Sequence, residues 1–167
     1  MMFNLKLDGG VQLVFNPEAT EVMGKNHWHL DEDIDVNITW GAKEISFKIL
    51  RGFLTDGTSV TRLLHALIPV WDNNTDGVVI HDWLCNFPIV LINGKETTLS
   101  RSEIDLLFLE VMKFNGLSKI RRTLMYVGIR AYVLLGLKKN SKELATKIAL
   151  EEKIRFKIDE ETKKECA

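Results

Sequence analysis

Cysteine is almost missing from this chain, which has two thiols, Cys85 and Cys166, in 167 residues. Neither has a partner at metal-ligand spacing, and two cysteines do not make a disulfide framework. A reducing or redox-indifferent setting follows. An excess of charge is also missing: the formal net charge is -1. That excludes broad electrostatic attraction to nucleic acid, although it leaves room for a local basic patch. The N-terminal stretch MMFNLKLDGGVQLVF lacks the basic start and long apolar core of a signal peptide, so export by that route is not expected. Long hydrophobic runs are absent too. The most apolar late segment, Leu124 to Leu137, is too short to span a bilayer and carries Arg130 within it. It reads as a core helix, with a helix lying on a membrane surface as the alternative. No internal repeat and no low-complexity tract stands out.

The chain does contain the makings of a core. Hydrophobic residues are 46% and charged residues 27% of the sequence, the balance of a soluble globular domain. The first half alternates with the two-residue period of strands. LKLDGGVQLVF reads as a hairpin around Asp8-Gly9-Gly10. DIDVNITW and EISFKIL form a second around Gly41, with Ile34, Val36, Ile38 and Trp40 on one face and Ile45, Phe47 and Ile49 on another. From Ser59 the pattern turns helical. Ser59 caps a short helix that stops before Pro69, and Asn74 or Thr75 caps a second that ends before Pro88. Asn93-Gly94 marks a small hairpin. Ser100 with Glu103 has the spacing of a capping box. Ser118 starts a further long helix that runs to about Gly136. The expectation is an α+β fold: a small antiparallel sheet of hairpins packed against three to four helices. Residues 1–136 form the domain, and 137–167 form a charged, largely exposed helical tail.

Four features carry candidate chemistry. The loop GFLTDGTS places Gly52, Thr55, Asp56, Gly57 and Ser59 between a strand and a helix. Such a loop can offer carbonyls to a cation or N–H groups to an anion. Equally, Asp56 can close a turn while Ser59 caps the helix. In VVIHDWLC, His81 and Asp82 stand side by side in an apolar run, where unpaired polar groups cost several kcal/mol. About 100° apart on a helix, they do not pair with each other but can serve one pocket. Asp105 shares an apolar stripe with Phe108, Leu109 and Met112, and His81 is its natural partner if the two helices pack antiparallel. A His held by an Asp is the arrangement of general-base catalysis, and it is also how a structural His is satisfied. In HWHLDED, His27, His29 and Asp31 could meet a zinc ion, without an identifiable further ligand. Arg121, Arg122 and Arg130 read as partners for buried acids.

GFLTDGTSVTRLL, VVIHDWLC, SRSEIDLLFLEVM and RRTLMYVGIRAY occur in that order. Together they resemble domain-of-unknown-function family 1353, found mostly in bacteriophages and prophages. The resemblance runs from about Trp28 to Tyr132. The family usually reads Gly-Phe-x-Thr-Asp-Gly-Ala-Ser-Val-Pro-Arg, then His-Asp-Trp-Leu-Tyr, then Ser-Arg-x-x-Ala-Asp. This chain has Thr58, Thr61 and Cys85 where alanine, proline and tyrosine are usual. It keeps Thr55, Asp56, Ser59, His81, Asp82 and Asp105. The resemblance implies a phage-encoded protein, in the host cytoplasm during infection or in the virion, with other phage structural proteins or a host envelope component as partners.

A weaker resemblance, to calcium-dependent secreted and parvoviral phospholipases, rests on His-Asp in one helix and a further Asp in the next. It implies His81 as base, Asp105 as its orienting acid, and Asp82 with Asp56 as metal ligands, supported by Gly52, Thr55, Gly57 and Ser59. Calcium is the first candidate ion and zinc the second. Two functions follow as expectations. One is a metal-assisted hydrolase acting on an ester or envelope component. The other is a non-catalytic virion-associated or host-interacting accessory protein whose His/Asp cluster is a buried structural network.

Overall fold

The structure, a computed structural model, describes residues 2–56, 74–135 and 141–165. In chain order its strands are β1 (Phe3–Asp8), β2 (Leu13–Phe15), β3 (Trp28–Leu30), β4 (Ile34–Trp40), β5 (Lys43–Ile49), β6 (Leu54–Thr55), β7 (Ile89–Ile92) and β8 (Lys95–Thr98). Its helices are α1 (Pro17–Met23), α2 (Thr75–Asn86), α3 (Arg101–Phe114), α4 (Lys119–Leu134) and α5 (Ser141–Glu165). The fold is α+β, as expected. The helix expected between Ser59 and Pro69 lies outside the described residues.

Five strands form one antiparallel sheet in the order β1-β4-β5-β7-β8, and β2-β3-β6 form a second. The β4–β5 hairpin turns at Gly41, and the β7–β8 hairpin turns at Asn93-Gly94, where both residues have positive φ (51° and 78°). Those angles suit a two-residue turn that follows the sheet's twist. The hairpin expected at Asp8-Gly9-Gly10 does not form. There β1 pairs with β4 while β2 pairs with β3, so the turn hands the chain from one sheet to the other. A local turn signal reports a change of direction, not the strand that will be met.

Alternation then decides which side is buried. Ile34, Val36 and Ile38 of β4 are inside, with Asp35 and Asn37 exposed between them. They pack with Ile45, Ile49, Val79, Ile80, Trp83 and Leu84, so α2 covers the large sheet. A second cluster, Val78, Phe108, Met112, Leu117, Met125 and Ile129, joins α2, α3 and α4. Both of α3's expected signals are present: the reciprocal Ser100–Glu103 capping box and the end before Asn115-Gly116. Ser118 caps α4, its side chain accepting from the Arg121 N–H.

Helix α5 is exposed along most of its length but docks one face. Ile154 packs with Ala19 of α1 and Leu54 of β6, and Lys147 and Glu151 are buried beside it. Ion pairs from Lys153 and Lys157 to Glu18, and from Asp159 to Arg51, rim the contact. Among the described residues no helix is long and apolar enough to cross a membrane.

Candidate functional site

Helix α2 sets His81 and Asp82 against different neighbours. His81 faces α3, where its Nε2–H donates to Asp105 Oδ1 at 3.0 Å. Its ring also lies 4.7 Å, centre to centre, from that of Phe108. Asp82 faces the small sheet, where its Oδ2 accepts from the Thr55 hydroxyl at 2.7 Å. The two acids thus flank one imidazole: Nε2 is on Asp105, and Nδ1 lies 4.0 Å from Asp82 Oδ1. The fold brings His81 to Asp105 as expected; the loop expected beside Asp82 meets it through Thr55, while Asp56 pairs with Lys25.

Asp105 is fully buried and carries more than the histidine. Arg101 Nε donates to its Oδ1 at 3.0 Å, and Arg130 from α4 donates to its Oδ2 at 3.1 Å. Three helices therefore meet on one carboxylate. Burial alone would raise its pKa. The hydrogen bond from His81 and the two guanidinium charges override that and hold it below the ordinary value. Burial likewise pulls His81 down. The bond to Asp105, the Cys85 sulfur and the nearby Asp82 charge outweigh it and raise the imidazole to about 9. The balance favours the imidazolium form, hydrogen-bonded to Asp105.

Arg101 is absent from the sequence-derived set, although its spacing of one helical turn from Asp105 was a readable signal. Cys85, one turn from His81, stands 3.8 Å from Nδ1 and 3.7 Å from Nε2. Nearly equal distances put the sulfur off the in-plane lone-pair axis of either nitrogen. Proton transfer from thiol to imidazole is poorly aligned there.

All of these residues except Arg130 lie within the stretch 28–129, which matches the family model described as protein of unknown function (DUF1353) and spans more than half of the chain. The chain belongs to that family. No curated protein and no solved structure matches it.

The remaining members of the DUF1353 chain's expected site are placed differently. Asp56 Oδ2 accepts from Lys25 Nζ at 2.7 Å, and Lys25 also meets Glu143 of α5 at 3.4 Å. A calcium ion takes six to eight oxygen ligands. With an ammonium already on Asp56, Asp82 is the acid of the expected pair left to meet a cation. Among the described residues no group of three or more His, Cys, Asp or Glu is arranged to hold a metal. In this structure Asp56 is an ion-pair partner of Lys25. Gly52 has φ of +78°, and a Cβ built there would stand 3.1 Å from both Glu151 O and Arg155 N. Its missing side chain admits the backbone of α5. Gly57 and Ser59 lie outside the described residues. His27 Nδ1 bonds to the Lys25 carbonyl at 2.8 Å, and His29 Nδ1 to the Asn16 amide at 3.3 Å.

Proposed function

We propose that this chain is a non-catalytic accessory protein, and that His81, Asp105, Arg101 and Arg130 form a latch fixing the packing of α2, α3 and α4. The single observation that supports this most is the fully buried Asp105 carboxylate, shared by an imidazolium and two guanidinium groups. A general base needs an unprotonated, available lone pair near working pH. Here the imidazole is held protonated, and one nitrogen is committed to the acid. The phage setting, as a virion-associated or host-interacting protein, rests on the motif resemblance. So do the proposed partners, other phage structural proteins or a host envelope component.

A hydrolase is the second reading, and one observation favours it. His81 holds Asp105 through Nε2, which leaves Nδ1 on the side of Asp82 and the Thr55 strand. In that reading His81 removes a proton from water through Nδ1, while Asp105 orients the ring and stabilises its charge. A metal-assisted form needs donors beyond Asp82, with calcium tried before zinc.

His81→Ala separates the readings. As a latch, its loss leaves the Asp105 assembly incomplete, lowering stability by roughly 3–5 kcal/mol in urea denaturation, with no ester hydrolysis by the wild type at any pH. Hydrolysis that climbs toward pH 9, disappears in His81→Ala, and leaves stability nearly unchanged would overturn the proposal. Thermal melting with calcium, with zinc and with EDTA reads out the metal-assisted form, because a bound ion raises the melting temperature.

A further inference from the structure

The large sheet is not closed along its whole length. Strands β5 and β7 pair at two positions, Ile45 with Ile92 and Ser46 with Leu91. Beyond them Phe47 and Lys48 on one strand, and Ile89 and Val90 on the other, line an open cleft instead of continuing the ladder. The cleft holds about 900 Å³. Small-molecule sites usually measure about 300–1,000 Å³. Helix α2 lends it Trp83 and Phe87, whose rings lie 4.5 Å apart, centre to centre. Helix α5 lends it Ile148, Glu151, Glu152 and Arg155. His81, Asp82 and Asp105 do not line it, so the cleft is separate from the latch and stands whichever reading of that cluster holds.

Two features of the lining select a ligand. The first is aromatic. Trp83 is 8% exposed, yet its indole N–H has no acceptor among the described residues. A buried donor without a partner is costly, and an acceptor atom on a ligand relieves that cost. The faces of such rings also attract cations and not anions.

The second feature is charge. Five carboxylates line the cleft against two cations, Lys48 and Arg155. Three of the acids are matched: Asp35 is 3.4 Å from Lys48, Asp8 is 3.1 Å from Lys6, and Glu151 is 3.6 Å from Lys147. Glu96 and Glu152 are exposed and have no ion-pair partner among the described residues. Against these two stands Arg155, whose Nε donates to the Arg51 carbonyl at 3.2 Å. Two carboxylates against one guanidinium leave one negative charge in excess.

We propose that the cleft between β5, β7, α2 and α5 binds a small organic ammonium ion whose flat apolar body carries an acceptor oxygen. The body lies against Trp83, Phe87 and Ile148, and the ammonium offsets the excess negative charge of Glu96 and Glu152. An organic anion would add to that excess. A neutral apolar ligand would leave both the charge and the indole N–H unanswered. A polyamine would leave the aromatic side wet.

The test is isothermal titration calorimetry of the full chain with three probes. Tyramine carries an ammonium, a ring and a hydroxyl. Its counterpart 3-(4-hydroxyphenyl)propionate keeps the ring and hydroxyl but reverses the charge, and spermidine keeps the positive charge without the ring. Tyramine should bind at one site with a dissociation constant of about 1 mM or below, ordinary for so small a ligand. The propionate and spermidine should each bind roughly tenfold more weakly or not at all, and salt should weaken tyramine. Glu96→Gln with Glu152→Gln should lower tyramine affinity roughly fivefold, the scale of two exposed charge contacts. The melting temperature should not change, because neither acid has an ion-pair partner to lose. Ile148→Lys, which sets an ammonium on the apolar wall, should abolish binding. Four outcomes would overturn the proposal. One is no saturable tyramine binding by about 10 mM. Another is tighter binding of the propionate, which would give the cleft to an anion. The third is equal binding of spermidine, which would reduce the site to a patch of acids. The fourth is tyramine affinity unchanged in both variants, which would place the amine elsewhere. A peptide alternating Lys and Phe that binds where tyramine does not would assign the cleft to a basic protein segment instead.

Discussion

Asp105 and Glu151 are both carboxylates almost wholly removed from water, one between α3 and its neighbours, the other where α5 meets β6. Their surroundings differ in how many donors reach them. Asp105 receives three charged or polar donors, at 3.0, 3.0 and 3.1 Å. Glu151 accepts from the Leu54 N–H at 3.0 Å, while Lys147 Nζ stands farther off at 3.6 Å. Accordingly Asp105 is held below its ordinary pKa, whereas burial pushes Glu151 above its own. Depth alone does not set the cost of a buried acid. The number of well-placed donors sets its sign.

The largest effect should come from the better-satisfied acid. Asp105→Ala leaves His81, Arg101 and Arg130 facing a void without their shared anion. A loss of about 3–5 kcal/mol is expected, as for one broken partner of a buried pair. That is a large share of the stability of a domain this size. Urea denaturation measures it. A loss under about 1 kcal/mol, the scale of an exposed pair, would erase the distinction between the two regions.

How far these regions could be read from sequence follows the same division. The His81–Asp105 contact was legible because an acid on an apolar stripe demands a partner, and two helices joined by a short connection can supply one. The β4–β5 and β7–β8 hairpins, the capping box and the Ser118 cap were legible because each signal acts within a few residues. Three things were not. Gly9 allowed a turn, but the pairing of β1 with β4 is decided by the sheet. The Lys25 partner of Asp56 gave no signal because it is 31 positions away. Gly52 looked like ligand-binding backbone because the helix it admits comes from the chain's far end, at Glu151 and Arg155. Long-range partners leave no local trace.

A smaller effect comes from pH. The folded pKa of His81 is about 9 against an ordinary 6.5. Its stabilisation is therefore complete below 6.5, and it is lost as pH rises through about 9. The span corresponds to about 3 kcal/mol. Glu151, raised above its ordinary 4.5, costs nothing below that value, and its penalty grows as pH rises through its folded pKa. Stability thus falls with rising pH in both windows, earlier for Glu151 and later for His81. Urea midpoints followed across pH in wild type and in His81→Asn should show the later fall in the wild type alone. A late fall that persists in His81→Asn would mean that another group titrates there.

The smallest effect should come from neutralising the Lys147–Glu151 pair. Lys147→Met with Glu151→Gln removes both charges together. The Gln carbonyl can still accept from the Leu54 N–H. The Met chain can replace the lysine stem, whose Nζ lies 4.5 Å from the centre of the Phe53 ring. Replacing a buried ion pair by uncharged groups of similar volume is often neutral or stabilising, because neither charge must then be desolvated. A change within about 1 kcal/mol in either direction is expected by the same reasoning. Glu151→Leu alone should cost more, since it strands the Leu54 N–H and leaves Lys147 without its carboxylate. If the double variant lost as much as Asp105→Ala, α5 would be held by its charges rather than by Ile154 and the Gly52 approach. The two acids would then be equivalent after all.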